Sequence, residues 1–226
     1  MSLRPLHLLA AVVVALAPLL QALPAPAANS ALIAALSEQT RVPNLVSGVL
    51  LYTRLYDTVA EVVVFTLASM GVVWMLSAER PQATIHGLDD PAVILLCRLG
   101  ATVAALVAVE LALRGHLSPG GGFAAGVSGG TALALLLIVR SSHGPLPTEA
   151  VSHRGLARTE LIEKLAVLLF IVLAFLSLEG LNLPEGSFGA VESGGWIPIL
   201  NALMAVKVTL GSWTMVQLFI RYRGLL

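Results

Sequence analysis

Long apolar runs alternate along the chain with short breaks rich in charge, proline and glycine. Six runs, at about 5–23, 49–76, 91–113, 123–139, 161–178 and 196–219, each approach or exceed the roughly 17–25 residues that a bilayer-crossing helix needs. The breaks hold residues that stop helices: Leu23-Pro24-Ala25-Pro26, Glu79-Arg80-Pro81, Pro119-Gly120-Gly121-Gly122, Pro145 with Pro147, and Leu183-Pro184-Glu185-Gly186. Pro91 suits a first helical turn, and Arg221, Tyr222 and Arg223 suit an interfacial anchor after the last run. The pattern predicts an all-α, polytopic transmembrane protein of about six spans.

Two boundaries have competing readings. The small residues after the first run have the character of a signal-peptide cleavage site, yet the run is longer than the about 7–15 apolar residues of a signal core, which favours a retained first span. The stretch 24–47, with Glu38, Arg41 and Pro43, reads as a surface loop containing a short helical pattern near 31–36. The longest polar insert runs from Arg140 to about Thr159. Arginines beside the spans fall mainly on one side: Arg4, Arg80, Arg140, Arg154, Arg158, Arg221 and Arg223 against Arg41, Arg54 and Arg114. By the positive-inside rule both termini are expected to be cytoplasmic.

Composition narrows the function classes. Of 226 residues 57% are hydrophobic and 12% charged, against roughly a quarter charged in soluble domains, which excludes a water-soluble globular enzyme. Thirteen Lys and Arg balance thirteen Asp and Glu, leaving no basic excess for nucleic acid. Cys97 is the single cysteine, and His7, His86, His116, His143 and His153 are scattered without ligand spacing, so neither a metal site nor a cofactor is expected. No nucleophile, base and oxyanion constellation appears, so a stand-alone enzyme is not expected either.

Charges inside the apolar runs are the candidates for chemistry, because an ionisable side chain at the centre of a spanning helix costs about 2.5–3.5 kcal/mol on insertion scales. Glu61 falls near the middle of the second run, and Asp57 lies one turn earlier on the same helical face, an acidic stripe suited to holding a proton or hydrated cation. The plainer alternative pairs Glu61 with a base on a neighbouring helix and lets Asp57 reach the headgroups beside Arg54. Lys207 lies near the middle of the last run, followed by Thr209, Ser212, Thr214 and Gln217. An ammonium there is either a relay member or one half of a static salt bridge, to Glu61 or to another subunit. Glu110 has ion-pair spacing to Arg114, as Glu160 has to Lys164; Glu160, Glu163 and Lys164 open the fifth run, where an interfacial network is the plainer reading and a point of proton entry from the cytoplasm at Glu163 the other.

Pro119-Gly120-Gly121-Gly122-Phe123 demands a sharp break. It lacks the Gly-Lys-Ser/Thr ending and the preceding strand of a phosphate loop, so a nucleotide site is not expected. Gly122, Gly126 and Gly130 then repeat every four residues, leaving one helix face bare for a close neighbour; a lined cavity is the second reading.

Arg114-Gly115-His116, the glycine motif, a small-residue helix and later Ile197-Pro198-Ile199-Leu200-Asn201 with Val206-Lys207-Val208 and Gly211 together resemble the B subunit (MnhB) of Mrp-type multisubunit cation/proton antiporters over about 91–219. The earlier part, from Val46-Ser47-Gly48-Val49 through Asp57-Thr58-Val59-Ala60-Glu61 to Met70-Gly71-Val72, is similar to the two-helix tail of the large A subunit, or to the equivalent small subunit of membrane-bound hydrogenases. The resemblance divides the chain into a two-span segment, 1–90, and a four-span MnhB-like domain, 91–226. It implies a multi-pass subunit in a bacterial or archaeal inner membrane, with lipid and other membrane subunits of an Mrp-like or complex I-related assembly as partners. Na⁺ and H⁺ would be the transported ions. Glu61 matches the carboxylate of the tail's acidic pattern, and Lys207 the lysine of the family's last helix. His116-Leu117-Ser118 and Ala124-Ala125-Gly126 depart from the family's usual His-Asn before the glycines and Gly-Gly after the phenylalanine. That leaves the parent complex either an antiporter or a relative coupled to a hydrogenase, a dehydrogenase or inorganic-carbon uptake. A purely structural subunit, its glycine face and buried charges serving only assembly, is the other alternative.

Overall fold

A computed structural model of the chain describes residues 26–80, 90–140 and 153–223, together with Val12 and Leu88. The described residues form helices and contain no strand: α1 Pro26–Thr40, α2 Leu55–Ser77, α3 Pro91–Arg114, α4 Gly122–Arg140, α5 His153–Leu178 and α6 Ile197–Arg223. Five of them, α2 to α6, are long and apolar enough to cross a membrane. The protein is thus an all-α, multi-pass membrane protein; the first apolar run, 5–23, lies outside the described residues except for Val12. The chain forms two compact units, Met1–Ala35 and Leu36–Leu226. The described part of the first is chiefly the opening turns of α1, and the site belongs to the second.

Three local expectations are corrected. The stretch read as a surface loop is largely helical, because Pro26 opens α1 at a position where proline is tolerated and a run rich in Ala, Leu, Glu and Gln follows it without a breaker. α1 ends where Arg41 takes a left-handed φ of 57° ahead of Pro43. Secondly, the second span is not one helix from 49. Asn44 caps a single α-turn, Leu45–Gly48, by accepting a hydrogen bond from the Val46 amide at 3.2 Å, and the turn continues as the π-helical stretch Val49–Thr53. Arg54 (φ −121°, ψ 33°) then breaks the path, so that Glu61 lies in the second turn of α2 rather than near the middle of a span. The Thr58 hydroxyl, donating to the Leu50 carbonyl at 2.7 Å, pins this hook to α2. Thirdly, the end of the long polar insert is already helical, since α5 begins at His153.

α6 is the hub, with α2, α3, α4 and α5 all packed against it. Its inward residues include Leu200, Met204 and Val208, which join Val62 of α2 and Phe170 and Ala174 of α5 in the apolar core. The same helix carries polar residues into that interior: Asn201, Lys207, Thr214 and Gln217 are buried. Large apolar side chains such as Trp74, Leu96, Leu106 and Leu165 face outwards instead, the distribution expected where lipid is the surrounding solvent.

Candidate functional site

Lys207 sits in α6 with no exposed surface, its Nζ 3.9 Å from Oε1 of Glu163 on α5. Neither atom has a hydrogen-bond partner among the described residues. The ammonium also lies 3.8 Å from the ring centroid of Phe65 on α2, a cation–π contact that partly replaces lost hydration. Phe65 in turn meets Phe123 edge to face, with centroids 5.8 Å apart and planes at 87°. Three helices and the glycine turn therefore converge on one charge pair.

Gly211, one turn beyond Lys207, makes this convergence possible. A Cβ there would lie 2.7 Å from Phe65 Cε1 and 2.8 Å from Glu163 Oε1, so a side chain would displace the aromatic lid, the acid, or both. Removing two ions from water costs several kcal/mol each, recovered only in part by their attraction. At 3.9 Å the two groups attract but do not share a hydrogen bond.

The other candidate acids go elsewhere. Asp57 is held by Arg54, whose Nε donates to Oδ2 at 2.6 Å. Glu110 pairs with Arg114 at 3.0 Å on an exposed surface, and Glu160 with Lys164 at 3.6 Å. Glu61 has no ion pair or hydrogen bond among the described residues. It lines a crevice of about 140 Å³ with Ser47, Thr58, Gly120, Gly121, Gly122, Phe123 and Asn201. The static partner suggested for Lys207, Glu61, is therefore not the one it has: Glu163 takes that place. The crevice and the charge pair still share a wall, because Phe123 lines the first and stacks on the ring that covers the second.

The glycine turn is fixed from several directions. Gly120 and Gly121 have φ of 151° and 132°, conformations that side chains disfavour. The Asn44 amide donates to the carbonyls of Gly115 (2.6 Å) and Ser118 (2.8 Å), and the Ser47 hydroxyl to Gly115 (2.7 Å). Asn201 of α6 donates to the last carbonyls of α3, Leu111 at 3.0 Å and Ala112 at 2.8 Å. Along α4, a Cβ on Gly122 would strike the Asn201 carbonyl, one on Gly126 the Val208 side chain, and one on Gly130 that of Ser212. α6 is thus the neighbour that the bare face admits.

His116, in the turn between α3 and α4, is fully buried, with Nε2 3.0 Å from the Val191 carbonyl. A carbonyl only accepts, so Nε2 carries the proton. Burial pushes the imidazole below its usual pKa, and the Val191 and Ala190 backbone offsets part of that. Among the described residues no three His, Cys, Asp or Glu gather as metal ligands would. Phe65 and Asn44 carried no sequence signal beyond an aromatic and an amide at ordinary positions, and the Glu163–Lys207 contact joins residues on different helices that no local spacing links.

Fold and site together define a multi-pass helical membrane protein built around a buried acid–base pair. Residues 92–214 match the family described as a domain related to the MnhB subunit of Na⁺/H⁺ antiporter, and the chain belongs to this family. It is 25% identical to an uncharacterized protein of Methanocaldococcus jannaschii, over 75% of this chain and 74% of that one. Among solved structures it is similar to a chain of the membrane-bound sulfane sulfur reductase, an archaeal respiratory membrane complex. That match has 26% identity and a TM-score of 0.72, and covers 98% of this chain and 99% of the other.

Proposed function

We propose that the chain is a membrane subunit of an Mrp-related cation/proton antiporter assembly, partnered by other membrane subunits, and that it contributes the Lys207–Glu163 pair to the route of Na⁺ and H⁺. One observation carries this reading: an ammonium and a carboxylate, both withdrawn from solvent, face each other without a hydrogen bond inside the bundle. Protonating Glu163 removes the charge that balances Lys207, so the two groups titrate as a unit and a charge arriving at one is felt at the other. Glu61, open to the crevice beyond the Phe65–Phe123 wall, is the group that receives a proton or cation from a neighbouring subunit. Asp57 and Glu110, each tied to an arginine, shape the field around that route.

A redox-driven parent assembly is the second reading. The near-complete overlap with a chain of a respiratory membrane complex favours it, because that likeness includes the part before residue 92. Affinity purification of the tagged chain in mild detergent, followed by mass spectrometry, separates the two. Antiporter-type subunits without redox partners, together with Na⁺-dependent proton flux after reconstitution, are the expected result. Iron–sulfur partners would assign the chain to a redox-driven pump. A stable, solitary chain would contradict both.

A further inference from the structure

α6 holds another buried polar atom with nothing to bond. Thr214 has no exposed surface and its hydroxyl has no hydrogen-bond partner among the described residues, a costly state unless water completes it. Its neighbours on the helix indicate where the water comes from. Gly211, three residues earlier, lies against the Glu163 carboxylate. Gln217, three residues later, lines an open crevice of about 280 Å³ together with Thr159, Trp213 and Gly155, its α4 side being Leu133, Leu136 and Leu137. Lys207, Gly211, Thr214 and Gln217 follow helical spacing along one stripe, about 15 Å long at 1.5 Å per residue. On the facing helix, Thr159 stands one turn before Glu163.

Both helices thus direct polar groups along the same line, from a roomy opening to a buried carboxylate. The opening has space for several waters at about 30 Å³ each. The Thr159 hydroxyl donates to the Gly155 carbonyl at 3.0 Å, which leaves its lone pairs to accept from water. Gln217 makes no hydrogen bond among the described residues, so its amide is available to the crevice. Among the described residues three polar atoms without a hydrogen-bond partner, Thr214 Oγ1 and Lys207 Nζ on the stripe and Glu163 Oε1 on the facing helix, gather at its inner end.

We propose that the stripe is a water-filled proton path, in which waters held by Thr159, Gln217 and Thr214 connect the crevice to Glu163. Each water oxygen accepts one proton and releases another, and the last delivers a proton to the Glu163 carboxylate. Only O–H bonds are made and broken, and the net change is one proton moved from bulk water to Glu163. Thr159, Thr214 and Gln217 offer hydroxyl and amide groups to a hopping proton, while Glu160, three residues before Glu163 on the same helix, is paired with Lys164 at 3.6 Å. The proposal rests on the reading of Glu163 as a proton acceptor.

Two measurements on the assembled complex test it. In a Cys97→Ser background, Gln217→Cys is expected to react with a water-soluble, membrane-impermeant thiol reagent, while Leu106→Cys on the outward apolar face stays unmodified. An inert Gln217→Cys would mean that lipid or protein fills the crevice and would overturn the path. Thr214→Val is expected to slow proton flux by about tenfold, with Thr214→Ser close to native and equal amounts of complex for both. Native flux in Thr214→Val beside an inactive Glu163→Gln overturns the path and leaves the role of Glu163 standing. Native flux in Glu163→Gln overturns that role, and the path with it.

Discussion

Lys207 and Glu163 stabilise one another but not the fold as a whole, since each would be a liability alone. Removing one partner of a buried pair leaves an uncompensated charge and typically costs about 3–5 kcal/mol. Lys207→Ala and Glu163→Ala should each lower the unfolding free energy of the purified protein by about that amount. Replacing both charges at once, as Lys207→Met with Glu163→Leu, should recover most of it; a double variant as unstable as the sum of the singles would show that the pair is not coupled. Phe65→Leu removes the ring over the ammonium and should cost roughly 1–2 kcal/mol by the same measurement. Part of this scale was legible in the sequence: Lys207 stands out because charge inside an apolar run is expensive, whereas Glu163 is marked only by its place where the fifth run opens. Their pairing was not legible, because it depends on Gly211 giving the acid and Phe65 room to meet the ammonium. Glu61 was equally conspicuous, but its place along the helix was not, because Arg54 breaks the second run and α2 starts at Leu55.

Among the helices, α4 and α6 depend most on what is missing between them. A methyl group on Gly122 would meet α6 backbone at Asn201, which has little freedom to retreat, and one on Gly126 would meet Val208. Gly122→Ala and Gly126→Ala should both destabilise, by about 1–3 kcal/mol in thermal or denaturant unfolding, with Gly122 the worse. Gly71 of α2 is the internal control: a Cβ there meets nothing within 4 Å, so Gly71→Ala should be neutral or stabilising by up to about 1 kcal/mol. The four-residue glycine repeat gave this face away in the sequence, because spacing on a single helix is a local property. The hook before α2 was hidden, since a π-helical stretch built from Val, Leu and Tyr has the same apolar signature as a straight span. The turn between α3 and α4 also carries a pH dependence through His116. Its pKa is lowered on folding, so the unfolded chain binds a proton more readily. The stabilising contribution is complete above the unfolded value of about 6.5 and is lost as pH falls through it towards the folded value. Unfolding measured from pH 8 down to 5 should show this loss, and His116→Gln should flatten it.

Apolar side chains face outwards as well as forming the core, and a polar stripe runs within that core along α6, from Asn201 through Lys207 to Gln217. Two crevices lie along the helices that carry the charge pair: one is lined by Glu61, the glycine turn and Phe123, whose ring meets the Phe65 ring over the ammonium, and the other by Thr159 and Gln217. This arrangement fits a subunit that carries charge within a larger assembly. Such a role cannot be read from composition, which establishes only that the chain belongs in a bilayer. The most direct test compares sodium-driven proton flux in vesicles bearing the native complex and the Glu163→Gln variant, with complex assembly checked in the same membranes. Loss of flux with intact assembly is the predicted result. Native flux from a fully assembled Glu163→Gln complex would contradict the account and leave the pair a structural element.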